Sequence, residues 1–167
     1  MTLNLIPDYM FPTFDAVTCE FLREHSIRAV ILDIDNTLEP YENAEPSDRV
    51  RAWLDELRNA GIGTAIVSNN NRKRVETFNK SIGMPAYFIS AKPFAFKVRR
   101  AIRDLGVTPD EAVFIGDQIF TDVWAAHNAG IRAVLVPPIK DKTGALTRFK
   151  RWLERPIVAK YRKEHKQ

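Results

Sequence analysis

The sequence has one cysteine, Cys19, and three histidines in 167 residues. An internal disulfide is therefore excluded, and no cysteine and histidine spacing typical of a zinc site is present. Long apolar runs are also absent, since no stretch approaches the ~20 residues that span a bilayer, and the start of the chain lacks the features of a secretory signal. These absences favour a cytoplasmic protein in which Cys19 is a small buried hydrophobic residue.

The composition excludes a collagen-like, low-complexity or wholly disordered chain, because hydrophobic residues make up 45% and charged residues 28%. The net charge of +4 is unevenly distributed. Residues 1–136 carry 15 Lys or Arg and 18 Asp or Glu, whereas residues 137–167 carry 10 and 3. We therefore predict a core domain over 1–136 that holds the chemistry and a basic C-terminal extension over 137–167.

Short apolar runs alternate with helical patterns along residues 1–136. Strands are predicted at 28–33, 63–68, 87–90, 112–116 and 131–136, with helices between them. This alternation predicts an α/β fold, in which a five-stranded parallel sheet of order 5-4-1-2-3 is covered by helices on both faces.

Polar residues follow four of these strands, at the sheet edge where ligands bind in such folds. Two carboxylates at positions i and i+2 point the same way from an extended chain, and they can divide the roles of nucleophile or metal ligand and proton donor. A further carboxylate suits Mg²⁺, and a hydroxyl and a lysine suit phosphoryl oxygens. The set indicates phosphoryl transfer through an aspartyl-phosphate. Its members are Asp33 and Asp35, Ser68 and Asn69, Lys92, and Asp117 and Asp122.

The motifs around these residues resemble those of the haloacid dehalogenase (HAD) superfamily. VILDIDNTL resembles the first motif, AIVSN the second, AKP the lysine motif and IGDQIFTD the fourth, all in the order of that superfamily. The resemblance implies a Rossmann-like HAD fold with Asp33 as nucleophile and Asp35 as general acid and base. It also implies Mg²⁺ as cofactor, held by Asp33, Asp117 and the backbone carbonyl of Asp35, with Asp122 behind them.

The same resemblance implies the residues that bind substrate. Ser68 and Asn69 would bind the phosphoryl oxygens, and Thr37 would steady the first loop. Lys92 is preferred over the nearby Lys97 as the phosphate-binding lysine, because Lys-Pro directly after the third strand matches the family pattern.

Two further polar features are interpreted as structural. His127 lies within a predicted helix and has no partner in sequence, which favours a structural role over a ligand role. The basic cluster 72–74 begins a predicted helix, where positive charge opposes the helix dipole, so a solvated face is favoured over anion binding.

The segments between the motifs are short, so no cap domain is predicted. Residues 37–63 have room for little more than one helix, and residues 71–90 for one helix and one strand. LIPDYMF, LDIDNTLEPY, VSNNN, AKP and GDQIFTD together are similar to subfamily IIIA, in its capless YqeG-type branch related to phosphatidylglycerophosphate phosphatases. This likeness implies dephosphorylation of phosphatidylglycerophosphate to phosphatidylglycerol.

Both ends of the chain suit a membrane surface. Residues 1–14 are apolar and aromatic, and a helix from Ala145 would place Leu146, Phe149, Trp152 and Leu153 on one face with cations opposite. One interpretation is peripheral contact with the anionic inner face of a membrane, and the other is packing of both segments on the body.

Three other functions stay open at this point. One is a phosphatase of a soluble metabolite or a nucleic-acid end, in which the basic extension contacts a polyanion. Another is a non-enzymatic adaptor that binds RNA or protein. The third is a receiver-like phospho-acceptor, which would show a stable aspartyl-phosphate instead of turnover. The sequence leaves the oligomeric state undetermined.

Overall fold

A parallel sheet of six strands, in the order β1-β6-β5-β2-β3-β4, forms the centre of the molecule. The computed structural model describes residues 4–140 and 145–164, with side chains described up to 140 and over 152–163. The strands are β1 (Tyr9–Met10), β2 (Ala29–Leu32), β3 (Gly63–Val67), β4 (Ala86–Tyr87), β5 (Ala112–Gly116) and β6 (Arg132–Leu135). The helices are α1 (Cys19–Glu24), α2 (Asp48–Asn59), α3 (Arg72–Asn79), α4 (Phe96–Asp104), α5 (Trp124–Ala129) and α6 (Ala145–Glu164).

The predicted α/β fold and strand order are confirmed, but the predicted count of five strands is short by one. The additional strand, β1, pairs in parallel with β6 through Tyr9 opposite Val134. Two residues are too few to show an alternating pattern, so β1 gave no periodic signal in the sequence. Helix α1 is likewise absent from the prediction.

The strands of the sheet centre are buried on both faces, which explains their continuous apolar sequence. In β2, Val30 and Leu32 face one hydrophobic cluster, and Ala29 and Ile31 face the other. Helices α2 and α3 cover the first face, and α4 and α5 cover the second. The carboxyl ends of the central strands are therefore held between two packed layers of helices.

The N-terminal aromatic residues pack on the body of the protein. The rings of Tyr9 and Phe11 lie 5.0 and 4.9 Å from that of Phe21, in edge-to-face contacts. Phe14 is buried with its ring 5.2 Å from Trp53. Over the described part of this segment, residues 4–14, the packing interpretation is the one observed.

Over its described side chains, 152–163, helix α6 also packs on the body. Ile157 and Val158 contact the second hydrophobic cluster, and the buried Glu154 accepts a 2.9 Å hydrogen bond from the backbone N–H of Ile119. Trp152 and Leu153, predicted on the apolar face, are 61% and 36% exposed. The predicted partners at 146 and 149 lie outside the described side chains, and the predicted boundary between 136 and 137 stays a prediction.

Two smaller findings concern Cys19 and membrane spanning. Cys19 is half-buried, not fully buried as predicted, and its Sγ lies 3.7 Å from the Glu56 carbonyl oxygen. Within residues 4–140 and 145–164, none of the helices is both long enough and apolar enough to cross a membrane.

His127 fastens the N-terminal segment to α5. Its Nε2 lies 2.9 Å from Asp8 Oδ2, and its Nδ1 lies 2.8 Å from the Asn4 carbonyl oxygen. Burial lowers the pKa of His127, but Asp8 and Asn4 raise it more, so the net pKa lies above 6.5. Burial raises the pKa of Asp8, but bonds from His127 and Ala133 lower it more, so the net pKa lies below 3.8.

We expect this contact to stabilise the protein most at mildly acidic pH. The His127 contribution is complete below its ordinary pKa of 6.5 and is lost as pH rises through its raised pKa, and the Asp8 contribution is present above 3.8. Replacing His127→Gln should lower the unfolding temperature by about 2–4 °C near pH 5, for a loss of about 1 kcal/mol, and by less at pH 9. Thermal unfolding across pH measures this, with Asp8→Asn expected to remove the same pH-dependent part. A loss that does not vary with pH would contradict it.

Candidate active site

The predicted polar residues meet at the carboxyl edge of the sheet. Asp33 follows β2, Ser68 follows β3, Lys92 lies in the loop after β4, and Asp117 follows β5. All four are buried, with 6%, 1%, 7% and 1% of their surface exposed. Because β2, β3 and β5 pair in parallel, their ends bring residues distant in sequence into one site.

Lys92 forms ion pairs with two buried carboxylates. Its Nζ lies 2.9 Å from Asp33 Oδ1 and 2.7 Å from Asp122 Oδ1, and its side chain is 2% exposed. Lys97, the other candidate lysine, donates instead to the Phe88 carbonyl oxygen outside this cluster. The lysine that the structure places beside the predicted nucleophile is therefore Lys92.

Burial and the neighbouring charges together shift the pKa values of Asp33 and Lys92. Burial raises the pKa of Asp33 to about 6, because the attraction of the Lys92 ammonium does not offset burial and the repulsion of Asp122. Burial by itself would lower the pKa of Lys92, but Asp122 and Asp33 raise it more. Lys92 therefore keeps its positive charge in a site with little water.

The carboxylates of Asp33, Asp117 and Asp122 form a group that fits a divalent cation. One oxygen from each lies within 4.8 Å of the others, and all three residues are buried. Three carboxylates face one lysine ammonium, which leaves excess negative charge in a buried place. Carboxylate oxygens in a partly protein-lined site are the ligands that Mg²⁺ accepts.

The last position of β5 requires a glycine. A Cβ atom added at Gly116 would lie 2.4 Å from the Cβ of Asp122, so a larger residue would displace that carboxylate. Asp122 Oδ2 also accepts a 3.0 Å hydrogen bond from the backbone N–H of Gln118. The GDQIFTD segment thus folds back on itself and aims Asp122 at Lys92.

Asp35 lies beside this group, but its carboxylate is held elsewhere. Asp35 Oδ1 accepts hydrogen bonds of 3.1 and 2.9 Å from Arg74 Nε and Nη2, and its Oδ2 accepts one of 2.9 Å from Asn70 Nδ2. The carboxylate predicted to donate a proton is thus fixed at its distal end by a guanidinium. Among the residues that the structure describes, the acidic group consists of the carboxylates of Asp33, Asp117 and Asp122, and the Asp35 carboxylate is not part of it.

Arg74 was not identified from the sequence as a site residue. The interpretation of residues 72–74 as a solvated face holds for Arg72, whose side chain is 70% exposed, but is wrong for Arg74, whose side chain is 10% exposed. Its guanidinium lies 5.6 Å from the ring centre of Phe78, one helical turn further along. Arg74 and the apolar Phe78 stand at positions i and i+4 of the predicted helix, and this spacing was the sequence signal that could have distinguished Arg74 from its solvated neighbours.

The three predicted substrate-binding residues lie around the acidic group. Thr37 Oγ1 is 3.4 Å from Asp117 Oδ1, and Ser68 Oγ accepts a 3.1 Å hydrogen bond from the Asn70 backbone N–H. The Asn69 side chain instead fastens the next loop, because its Oδ1 accepts hydrogen bonds of 2.8 Å from the Lys92 N–H and 2.7 Å from the Ser90 hydroxyl. Asn69 therefore positions Lys92 relative to the end of β3.

A cleft of about 960 Å³ borders the acidic group on the β1 and β6 side of the sheet. Its walls include Asp117, the apolar residues Met10, Phe11 and Val158, and α6. Three cations of α6 also line the cleft, namely Arg155, Arg162 and Lys163. A volume of this size accommodates a ligand much larger than a phosphate group.

Comparison with known proteins gives one family match and several similar folds. A sequence profile of the haloacid dehalogenase-like hydrolases matches residues 12–136. The chain is 36% identical over 154 residues to the probable phosphatase YqeG of Bacillus subtilis (strain 168), covering 92% of this chain and 90% of that protein.

Two solved structures illustrate the shared fold. An uncharacterized protein from Listeria monocytogenes serotype 4b has a TM-score of 0.55 at 17% identity, covering 71% of this chain and 85% of that one. CbbY from Rhodobacter sphaeroides, in complex with phosphate, has a TM-score of 0.52 at 18% identity, covering 71% and 92%. At these identities the two structures show the fold alone.

We expect Asp117→Asn to raise the unfolding temperature in EDTA by about 2–4 °C, because it removes one of three like charges that lie close together. Mg²⁺ at about 100 times its dissociation constant should stabilise the unsubstituted protein by about 2.7 kcal/mol and the variant by much less. Differential scanning calorimetry with EDTA and with Mg²⁺ measures both effects.

The matched control is Asp110→Asn, a substitution of an exposed carboxylate before β5, at the other edge of the sheet. It should change neither the stability in EDTA nor the response to Mg²⁺. An unfolding temperature of the unsubstituted protein that does not respond to Mg²⁺ would contradict the assignment of a cation site.

Proposed function

Because the chain belongs to the haloacid dehalogenase-like hydrolase family and is one of its phosphatases, we propose that it hydrolyses phosphatidylglycerophosphate with Mg²⁺ through an aspartyl-phosphate on Asp33. The predictions of the family and of a phosphatase are confirmed by the match over residues 12–136 and by the likeness to YqeG. Mg²⁺, the site roles and the lipid substrate are the proposal.

The observation that carries the proposed mechanism is the buried arrangement of Asp33, Lys92 and the two further carboxylates at one sheet edge. A carboxylate oxygen of Asp33 attacks the phosphorus, the bond from phosphorus to the ester oxygen breaks, and an acyl phosphate forms on Asp33. Lys92, 2.9 Å from Asp33, stabilises negative charge on the phosphoryl oxygens. Mg²⁺, held by Asp33 and Asp117, would add positive charge at those oxygens.

Asp35 completes the reaction by moving protons. In the first step it gives a proton to the leaving alkoxide. In the second it takes a proton from a water molecule, whose oxygen attacks the phosphorus and breaks its bond to Asp33, which releases inorganic phosphate. Arg74 and Asn70, which hold the Asp35 carboxylate, position it for both transfers.

The lipid substrate is supported by the shape and lining of the site. Over the described residues, loops connect the carboxyl ends of the strands to the helices that follow them. The longest of these connections, residues 33–47, is shorter than a cap domain. The cleft beside Asp117 has apolar walls and cations of α6 along it, which suits a phosphorylated headgroup attached to a glycerol and acyl chains. A large substrate can reach this site with most of its bulk outside.

The first test is Mg²⁺-dependent phosphate release from phosphatidylglycerophosphate in mixed micelles, measured beside a panel of soluble phosphomonoesters. We expect a strong preference for the lipid. Asp33→Asn should abolish turnover on every substrate, because uncatalysed monoester hydrolysis is among the reactions that need accelerations of up to ~10²¹-fold.

Each other outcome changes a different part of the proposal. Equal or higher activity on soluble esters would overturn the lipid substrate and leave the phosphatase. Turnover that survives in Asp33→Asn would overturn the aspartyl-phosphate mechanism. Inactivity on all substrates in Mg²⁺ would contradict the proposed chemistry and favour the adaptor function.

A second test addresses Arg74 as a positioning residue for Asp35. Arg74→Ala should lower kcat/KM on an alkyl phosphate by about 10- to 100-fold, because kcat/KM covers formation of the acyl phosphate, in which a poor leaving group needs a well-placed acid. On p-nitrophenyl phosphate, whose leaving group needs little protonation, the loss should be small.

The matched control for Arg74 is Arg72→Ala, in the same helix, where the side chain is exposed and pairs with Glu76. It should leave both rates unchanged, and Arg74→Lys should recover part of the rate on the alkyl phosphate. An equal loss on both substrates in Arg74→Ala would indicate a structural role only.

A further inference from the structure

Three large apolar side chains are exposed in one short segment beside the active site. Ile89, Phe94 and Phe96 are 60%, 49% and 73% exposed. Ile89 and Phe94 lie on either side of Lys92 in the loop between β4 and α4, and Phe96 begins α4. The Phe94 and Phe96 rings stack with centroids 6.2 Å apart. Apolar side chains grouped in this way on a surface indicate an interaction site.

The backbone of this segment favours the same conclusion. Ile89 has a φ of +47°, a left-handed conformation that β-branched residues avoid. Hydrogen bonds to the end of β3 fix it there, from the Ile89 N–H to the Asn70 carbonyl oxygen and from the Ser90 N–H to the Ser68 carbonyl oxygen. Glycine or asparagine would adopt this conformation at lower cost, so an exposed isoleucine here indicates a use for its apolar side chain.

Three cations lie over the rings of Phe88 and Tyr87, the two residues that precede Ile89 in the chain. Arg72 and Lys97 lie 5.8 and 5.3 Å from the ring centre of Phe88, and Arg100 lies 5.9 Å from that of Tyr87. We call Ile89, Phe94, Phe96, Arg72, Lys97 and Arg100 the β4 edge patch.

The charge around the β4 edge patch is opposite to that of the rest of the body. Residues 72–104, which comprise α3, β4 and α4, carry nine Lys or Arg and two Asp or Glu, and two of the nine, Arg74 and Lys92, are ion-paired within the active site. The remaining residues of 1–136 carry six and sixteen. The structure thus concentrates positive charge on one edge of the sheet, beside the site, although the body as a whole is acidic.

We propose that the β4 edge patch docks on an anionic phospholipid bilayer, with its apolar side chains among the acyl chains and its cations at the headgroups. The proposal rests on the proposed function, because a lipid substrate requires the active site to face a membrane. Exposed phenylalanine and isoleucine with arginine and lysine around them match the interface between acyl chains and anionic headgroups. The Lys92 loop would then lie at the height of the headgroups.

Other occupants fit the β4 edge patch less well. A single-stranded nucleic acid binds by stacking its bases on free aromatic faces, whereas Phe94 and Phe96 stack on each other and Ile89 has no ring. A second copy of the chain that used the same patch would bring cations against cations. A bilayer complements both the charge and the apolar surface.

The test is cosedimentation of the full chain with vesicles of equimolar phosphatidylglycerol and phosphatidylcholine, and with phosphatidylcholine vesicles. The protein should bind the anionic vesicles, and binding should weaken as NaCl is raised. The double variant Phe94→Ser/Phe96→Ser should bind the anionic vesicles at least about tenfold more weakly. Its hydrolysis of a soluble phosphomonoester should be unchanged.

A matched control and a second variant keep the result interpretable. Trp152→Ser removes another exposed aromatic residue, 61% exposed on α6, and should leave vesicle binding unchanged. Arg72→Glu/Arg100→Glu reverses two charges of the patch, whose side chains are 70% and 64% exposed, without replacing its three apolar side chains, and it should also weaken binding. A misfolded double variant would be recognised by lost hydrolysis of the soluble ester, and the charge-reversal variant then decides.

Several outcomes would overturn docking by this patch. They are vesicle binding that persists in both double variants, binding lost in Trp152→Ser instead, binding of single-stranded RNA but not of vesicles, and a change of oligomeric state in Phe94→Ser/Phe96→Ser. Hydrolysis of phosphatidylglycerophosphate in micelles without vesicle binding would overturn docking alone. Vesicle binding without hydrolysis of that lipid would overturn the proposed substrate and leave the docking surface.

Discussion

The ammonium group of Lys92 holds the active site together. It lies 2.9 Å from Asp33 and 2.7 Å from Asp122, so one buried cation joins the loops that follow β2, β4 and β5. Each partner depends on the others, because a carboxylate or an ammonium buried without an opposite charge would destabilise the fold. Asn69 sets the place of this cation by binding the Lys92 backbone, and Gly116 leaves the space that Asp122 occupies.

The acidic group and the phosphatase chemistry follow from the same arrangement. One ammonium does not neutralise the carboxylates of Asp33, Asp117 and Asp122, and the remaining negative charge makes the site suitable for Mg²⁺. Asp35 is kept apart from this group by Arg74 and Asn70. The site thereby separates the carboxylates that would hold the metal and attack phosphorus from the carboxylate that would move protons.

The carboxyl edge of the sheet differs between its two ends. Towards β1 and β6, the cleft under α6 has apolar walls and cations from that helix. Towards β4, exposed phenylalanine and isoleucine lie among the cations of α3 and α4. The candidate active site lies between them. The N-terminal aromatic residues, by contrast, contribute to packing over their described part, with Phe14 against Trp53.

The sequence by itself determined the sheet, its order and the residues at the strand ends, because buried parallel strands are continuous apolar runs and the chemistry follows them directly in the chain. The tertiary structure decided the features that depend on contacts between residues distant in the sequence. The two-residue strand β1 exists only through its pairing with β6, and Arg74 is buried only because α3 turns it towards Asp35, 39 residues earlier. The excess of cations over residues 72–104 can be counted in the sequence, but only the pairing of β4 at the end of the sheet places that segment at one edge, beside the site.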